Sequence, residues 1–167
     1  MRTAVALGSN LGDRLANLRA ARKAIVDLPG VGPPILSSAI YETDAVACEP
    51  GAGKFLNAVI EFDYSGEPLE LLKKLREIEN TLGRPLDHPR YVSRKIDIDI
   101  LFFGDRKIDS EELHLPHPRM HERRFVLQPL EDIRPDSILP GHTKTVRELL
   151  AQIADLDKVV RTEWKLE

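Results

Sequence analysis

A chain of 167 residues, 42% hydrophobic and 31% charged, is long enough to bury roughly two thirds of its unfolded surface around one core and too apolar for disorder. Its formal net charge of −3 argues against a general nucleic-acid or anionic-membrane binder, although a local basic cluster can still serve a phosphate. Cys48 is the only cysteine, which excludes an intrachain disulfide and a cysteine-rich zinc site. The five histidines have no metal-ligand spacing, since "HLPHPRMH" is broken by prolines. No apolar run approaches the roughly 18 residues of a membrane span, and "MRTAVALGSN" lacks a signal-peptide pattern. These features predict one cytoplasmic domain over 1–167, with no nucleic-acid or membrane partner.

"TAVALGS" is a short apolar strand that runs into a turn at Gly8-Ser9-Asn10. Leu11, Leu15, Leu18, Ala21, Ile25 and Leu28 then recur at three- and four-residue steps, which predicts an amphipathic helix ended by Pro29-Gly30. "ILSSAIYET" reads as a second strand and "FLNAVIEFDY" as a third, joined by a loop too long for a tight hairpin. Pro68 opens a second helix with Leu72, Leu75, Ile78 and Leu82 as its buried stripe, and Gly83 closes it. The polar, arginine-rich "RPLDHPRYVSR" leads into the strand "RKIDIDILFFG", and "DRKIDS" turns into a short return strand. "LPHPRMHERRFVLQPL" allows a short helix near His121 to Leu127. A last helix begins at the capping box Thr145-Val146-Arg147-Glu148 and precedes the strand "KVVRTEW". The order β-α-β-β-α-β with further elements predicts an α+β fold. Its core is a ferredoxin-like βαββαβ unit with helices packed on a mostly antiparallel sheet and an added C-terminal segment.

Aspartate is depleted in strands because its side chain competes for backbone hydrogen bonds, so Asp97 and Asp99 within one apolar strand need a reason. Alternation puts both on one face and Ile96, Ile98 and Ile100 on the other. At a rise of roughly 3.3 Å per residue their Cα atoms are about 6.6 Å apart, close enough for both carboxylates to hold one cation or bridge a pair. A wet strand face with Arg94 and Lys95 as ion-pair neighbours would read the same way.

"ALGSNLGDR", "YET" followed by "FLNAV", "IENTLGR", "RYVSRKIDIDIL" and "LPHPRMHERRFVLQPL" together resemble, in order and spacing, the 6-hydroxymethyl-7,8-dihydropterin pyrophosphokinases of folate biosynthesis. Each motif is weak alone; five in register over nearly the whole chain are specific. The resemblance implies transfer of a diphosphate from ATP to the hydroxymethyl group of the pterin, with release of AMP. It implies that Asp97 and Asp99 bind two Mg²⁺ ions, hard cations that take oxygen ligands and neutralise a triphosphate.

The same resemblance assigns Arg84, Arg90 and Arg94 to phosphate contacts on a lid-like loop, Arg84 and Arg94 serving the reaction and Arg90 the nucleotide. Arg123 and His117 fall on ATP-site positions, and Ile100 lies beside the adenine. Phe55 and Phe125 clamp the pterin ring, while Thr43 and Asn57 read its edge; from the residues alone both phenylalanines would be core. Asn10 and Glu79 take supporting places. Phe55 stands where relatives often carry tyrosine, Ala45-Val46-Ala47 replaces a typical Pro-x-Gly, and Leu86-Asp87 lacks basic groups found in some relatives. Tyr91, Val92 and Pro118 also depart from the usual residues. A monomer is expected, because no element advertises an interface. The competing readings are another Asp-x-Asp, metal-dependent nucleotidyl or glycosyl transferase, and a ferredoxin-like RNA-binding module. The latter should carry an aromatic RNP1 string, which is absent.

Overall fold

The structure is a computed structural model that describes residues 1–45, 50–83, 95–154 and 158–167. Strand β1 (Arg2–Ser9) is followed by helix α1 (Arg14–Val26), whose N-cap Asp13 accepts a hydrogen bond from the Ala16 N–H at 3.0 Å. Leu18, Ala21 and Ile25 turn inward as the spacing predicts, whereas Leu11 precedes the helix and is exposed. After β2 (Val31–Ser37) and β3 (Tyr41–Thr43), the long β4 (Phe55–Tyr64) leads to helix α2 (Pro68–Thr81). Pro68 occupies the first turn of α2, where a missing N–H costs nothing, and Gly83 ends the element at φ +106°. Strand β5 (Asp97–Phe103) precedes a small two-stranded sheet of β6 (Ile108–Asp109) and β7 (His114–Leu115). A 3₁₀ turn (Met120–Glu122), helices α3 (Arg124–Ile133) and α4 (Val146–Gln152) and strand β8 (Val159–Arg161) complete the described elements.

The main sheet runs β5-β1-β4-β3-β8, with β2 also paired to β4, and its strand pairs are antiparallel. Helices α1 and α2 cover one face through Leu18, Ile25, Leu71 and Leu75, which pack on Val5, Leu7, Ile60 and Phe62. Helices α3 and α4 cover the other through Val126, Leu130, Val146 and Leu150, against Ala4, Val59 and Leu101. Covering both faces explains why β4 reads as a nearly unbroken buried run rather than as an alternation. The fold is α+β, as the element order predicts. No helix among the described residues is long and apolar enough to cross a membrane.

Two elements differ from their sequence reading. "ILSSAIYET" is not one strand but two, because the Ser38 hydroxyl replaces a backbone acceptor and takes the Val59 N–H at 2.9 Å, interrupting the ladder before Tyr41 rejoins β4 opposite Asn57. The helix expected near His121 to Leu127 instead covers Arg124–Ile133 and contains Pro129. Proline removes one helical hydrogen bond, and the buried stripe of Val126, Leu127 and Leu130 offsets that loss.

At the end of the sheet remote from the β5 aspartates, Glu61 of β4 is 1% exposed and lies between two guanidinium groups. Arg134, just past α3, donates to it from Nε at 2.9 Å, and Arg2 of β1 donates at 2.8 Å. Burial opposes ionisation of Glu61, but these hydrogen bonds outweigh it and hold the carboxyl below its usual range. Removing the shared carboxylate leaves two cations facing each other at a half-dry site. Glu61→Ala should therefore lower unfolding free energy by roughly 3–5 kcal/mol, read as a fall in the urea midpoint at constant slope.

Candidate active site

Strand β1 is paired on both sides, and Gly8 lies opposite Asp97 of β5 and opposite Asn57 of β4. Directly opposed residues of antiparallel strands project to the same face. Asp97, Gly8 and Asn57 therefore form a row across the sheet, and Tyr41 extends it on β3. Asp99, opposite Ala6, stands on the same face one step along. Both aspartates are half-buried, while Ile98 and Ile100 point into the α1/α2 core. The alternation expected of the Asp-x-Asp strand is present.

Gly8 is glycine for space, since its φ is ordinary for any residue. A Cβ there would come within 3.1 Å of Asn57 Oδ1 and 3.6 Å of the Phe55 ring, so the bare backbone lets both side chains settle onto β1. Asn57 is 7% exposed and donates from Nδ2 to Thr43 Oγ1 at 2.7 Å. Phe55, Asn57 and Thr43 are thus one connected group at the end of β3 and β4. Phe125 is half-buried on the first turn of α3, and the Arg123 guanidinium sits 5.6 Å from the centre of its ring.

His117 follows β7 and is tied to β5 by its N–H, which donates to the Leu101 carbonyl at 2.8 Å. Burial, reinforced by the positive charge of Arg123 and opposed by Asp97, pushes its pKa down to about 4. The ring is therefore neutral at pH 7. Its Nδ1 accepts the Arg119 N–H at 3.2 Å, which places the remaining proton on Nε2.

Glu79 of α2 is 5% exposed and accepts the Ile98 N–H at 2.7 Å. Asn10 is equally buried and donates to the Gly53 carbonyl at 3.3 Å. The Ile100 side chain lies in the core on the far face, so only its backbone can meet a ligand beside β5. Arg84, Arg90 and Arg94 lie outside the described residues, as do Val46, Ala47, Leu86, Asp87, Tyr91 and Val92.

The donor set suits Mg²⁺ on chemical grounds. Asp97 and Asp99 supply hard oxygens from one face, and no group of three or more His, Cys, Asp or Glu side chains able to hold a metal occurs among the described residues. Mg²⁺ takes one or two carboxylates and fills the rest with water and phosphate oxygens, so these two aspartates could hold it. Gly8 has no assigned role in the sequence reading, which puts it in a turn. Its signal is a glycine inside a strand, a mark of close approach.

The family profile described as 7,8-dihydro-6-hydroxymethylpterin-pyrophosphokinase (HPPK) matches residues 4–135. A 2-amino-4-hydroxy-6-hydroxymethyldihydropteridine pyrophosphokinase of Bacillus subtilis is 46% identical over 129 residues, covering 77% of this chain and 75% of that protein. One of Haemophilus influenzae is 37% identical over 151 residues, covering 90% and 92%. Among solved structures, a Plasmodium falciparum HPPK-DHPS superposes with a TM-score of 0.71 at 16% identity. The match covers 94% of this chain but only 48% of that one, and at such identity it shows the fold alone.

The depressed pKa of His117 has a consequence for stability. A histidine held neutral in the fold, but free to protonate when unfolded, stabilises the protein above about pH 6.5 and loses that contribution as pH falls toward 4. Urea titrations at pH 7 and pH 4.5 should show a larger loss for the wild type than for His117→Gln, with a difference on the order of 2 kcal/mol.

Proposed function

The chain belongs to the 7,8-dihydro-6-hydroxymethylpterin-pyrophosphokinase family, and from that premise we propose how its own residues carry the reaction. The activity is transfer of diphosphate from ATP to the hydroxymethyl group of 6-hydroxymethyl-7,8-dihydropterin, a step of folate synthesis. The hydroxyl oxygen bonds to the β-phosphorus, the bond between the α- and β-phosphates breaks, AMP leaves and the hydroxyl proton is released.

The single observation behind the assignment of roles is the row Asp97, Gly8, Asn57 on one face of the sheet. Adjacent strands are about 4.8 Å apart, so carboxylate and amide stand roughly 10 Å apart across the glycine, a span suited to a flat bicyclic ring. Asn57 and Thr43 read the polar edge of the pterin, Phe55 and Phe125 cover its faces, and the hydroxymethyl group points toward β5. Asp97 and Asp99 would hold Mg²⁺, two ions in this reading. That metal supplies charge neutralisation on the triphosphate and in-line orientation of the attacking oxygen.

Around this centre, His117 donates from Nε2 to a nucleotide oxygen, and Arg123 sets its charge beside the phosphates while its guanidinium rests on Phe125. Backbone groups of Ile100 meet the adenine. Arg90 binds the nucleotide, whereas Arg84 and Arg94 act on the transferring group, where a planar two-donor fork matches phosphate oxygens. Asn10 and Glu79 support the ends of β1 and β5. We read the protein as a cytoplasmic monomer with no nucleic-acid or membrane partner.

Incubation of purified protein with ATP, Mg²⁺ and 6-hydroxymethyl-7,8-dihydropterin should yield AMP and the pterin diphosphate in equal amounts. ADP as the product, or no pterin-dependent AMP, would overturn the reading. Asp97→Ala and Asp99→Ala should each lower turnover by two or more orders of magnitude, about the scale of losing a preorganised charge contact, with melting temperatures within a few degrees of wild type. Phe125→Ala should weaken pterin binding about tenfold through lost stacking and burial. Its ATP affinity, titrated in the same experiment, should fall by less than the pterin affinity, since Phe125 reaches the nucleotide only through the Arg123 guanidinium that rests on its ring.

A further inference from the structure

The walls of the pterin site come from different elements: Thr43 ends β3, and Phe125 begins α3. One carboxylate joins these elements at a distance from both residues. Asp132, in the last turn of α3, accepts hydrogen bonds from the Tyr41 hydroxyl at 3.0 Å and from the Ala39 N–H at 3.0 Å. Arg161 of β8 stands 3.9 Å away as its only other charged neighbour among the described ion pairs.

Tyr41 is 4% exposed and lies opposite Asn57 in the ladder. Two residues on, Thr43 shares its face and accepts the Asn57 amide. We propose, resting on the functional reading above, that Asp132 is a positioning residue for the pterin site: it fixes the short strand carrying Thr43 to the helix carrying Phe125, and so sets where the edge-reading hydroxyl stands relative to one stacking ring.

The rest of the structure assigns this task to Asp132 rather than to its neighbours. The other anchor of α3, Arg134 on Glu61, reaches the central strands β4 and β1 and leaves β3 untouched. Strand β3 has three residues, each with a ladder partner on both sides, so its registration along the sheet is secure. Its height relative to α3 is not set by ladder bonds, which lie in the plane of the sheet. The link from Asp132 to Tyr41 and Ala39 crosses from helix layer to sheet layer. Burial first, then the hydrogen bond to the Asp132 anion, raises the Tyr41 pKa to about 12, so the phenol remains a donor through the neutral range.

The test is a pair of calorimetric titrations on the full chain, with 6-hydroxymethylpterin and, separately, MgATP as probes, for wild type, Asp132→Ala, Asp132→Asn and Tyr41→Phe. Asp132→Ala should weaken pterin binding about tenfold or more, because a displaced wall misaligns the ring, and should leave MgATP affinity within twofold. Asparagine keeps one oxygen acceptor and should recover most of the loss. Tyr41→Phe removes one of the two links and should fall between. A merely structural role would lower the melting temperature and weaken both ligands together, or neither. Pterin affinity within twofold of wild type in folded Asp132→Ala would overturn the proposal, as would equal losses for both ligands. If Asp132→Ala does not fold, pterin affinity within twofold of wild type in Tyr41→Phe would overturn it. Failure of the wild type to bind 6-hydroxymethylpterin would instead overturn the functional reading, and this proposal with it.

Discussion

Strand β1 has a fixed register on both sides, and most of what the site can do depends on that. Sheet side chains alternate with period two, so a slip of one residue against β5 would turn Asp97 and Asp99 into the α1/α2 core, and a slip against β4 would bury Asn57 there instead. Hydrophobic matching resists both slips. Val5 and Leu7 face one core while Ala4 lies in the other, and exchanging them would place branched side chains where only small ones fit. The two cores that stabilise the sheet thus also align two carboxylates and an amide at its end.

Burial on both faces raises the question of where a polar ligand can enter. The α3/α4 layer covers the sheet mainly over Ala4, Val59 and Leu101, and α3 starts only at Arg124. At its first turn Arg123 rests on the Phe125 ring, and His117 feels the charges of both Arg123 and Asp97. A neutral imidazole between a guanidinium and a carboxylate is a low-cost way to line such a mouth. An imidazolium would be repelled by Arg123 and would lose hydration on burial, and the single Asp97 charge does not compensate.

Much of the frame was legible in the sequence because periodicity and caps are local. The stripe of α1, Pro68 and Gly83 bracketing α2, and the capping box in which Thr145 Oγ1 accepts the Glu148 N–H at 3.2 Å all act within a few residues. The alternation of Asp97 and Asp99 was legible for the same reason. Features made by tertiary partners were not. The break at Ser38 depends on Val59, which lies 21 residues away. Pro129 inside α3 depends on packing that no local propensity encodes. Asp132 carries no local signal of a role, and only the arrival of Tyr41 and Ala39 gives it a task. The roles of Arg84, Arg90 and Arg94 rest on resemblance, and their positions fall outside the described residues.

Glu79 shows how an edge strand can carry aspartates without losing its pairing. β5 ends the sheet among the described strands, and its outward N–H groups need acceptors or water. The Ile98 N–H lies between the two aspartates in sequence, within reach of the local side-chain-to-backbone bonds that make aspartate a poor strand residue. Glu79 takes that donor at 2.7 Å from the opposite helix layer, which removes it from competition for either aspartate. A carboxylate with 5% exposure is costly unless a hydrogen bond satisfies it, and the backbone donor does so. One buried acid therefore takes the edge donor that lies between the two half-buried acids of the strand. This division of labour follows from the geometry of an edge and would hold whatever cation or phosphate the aspartates meet.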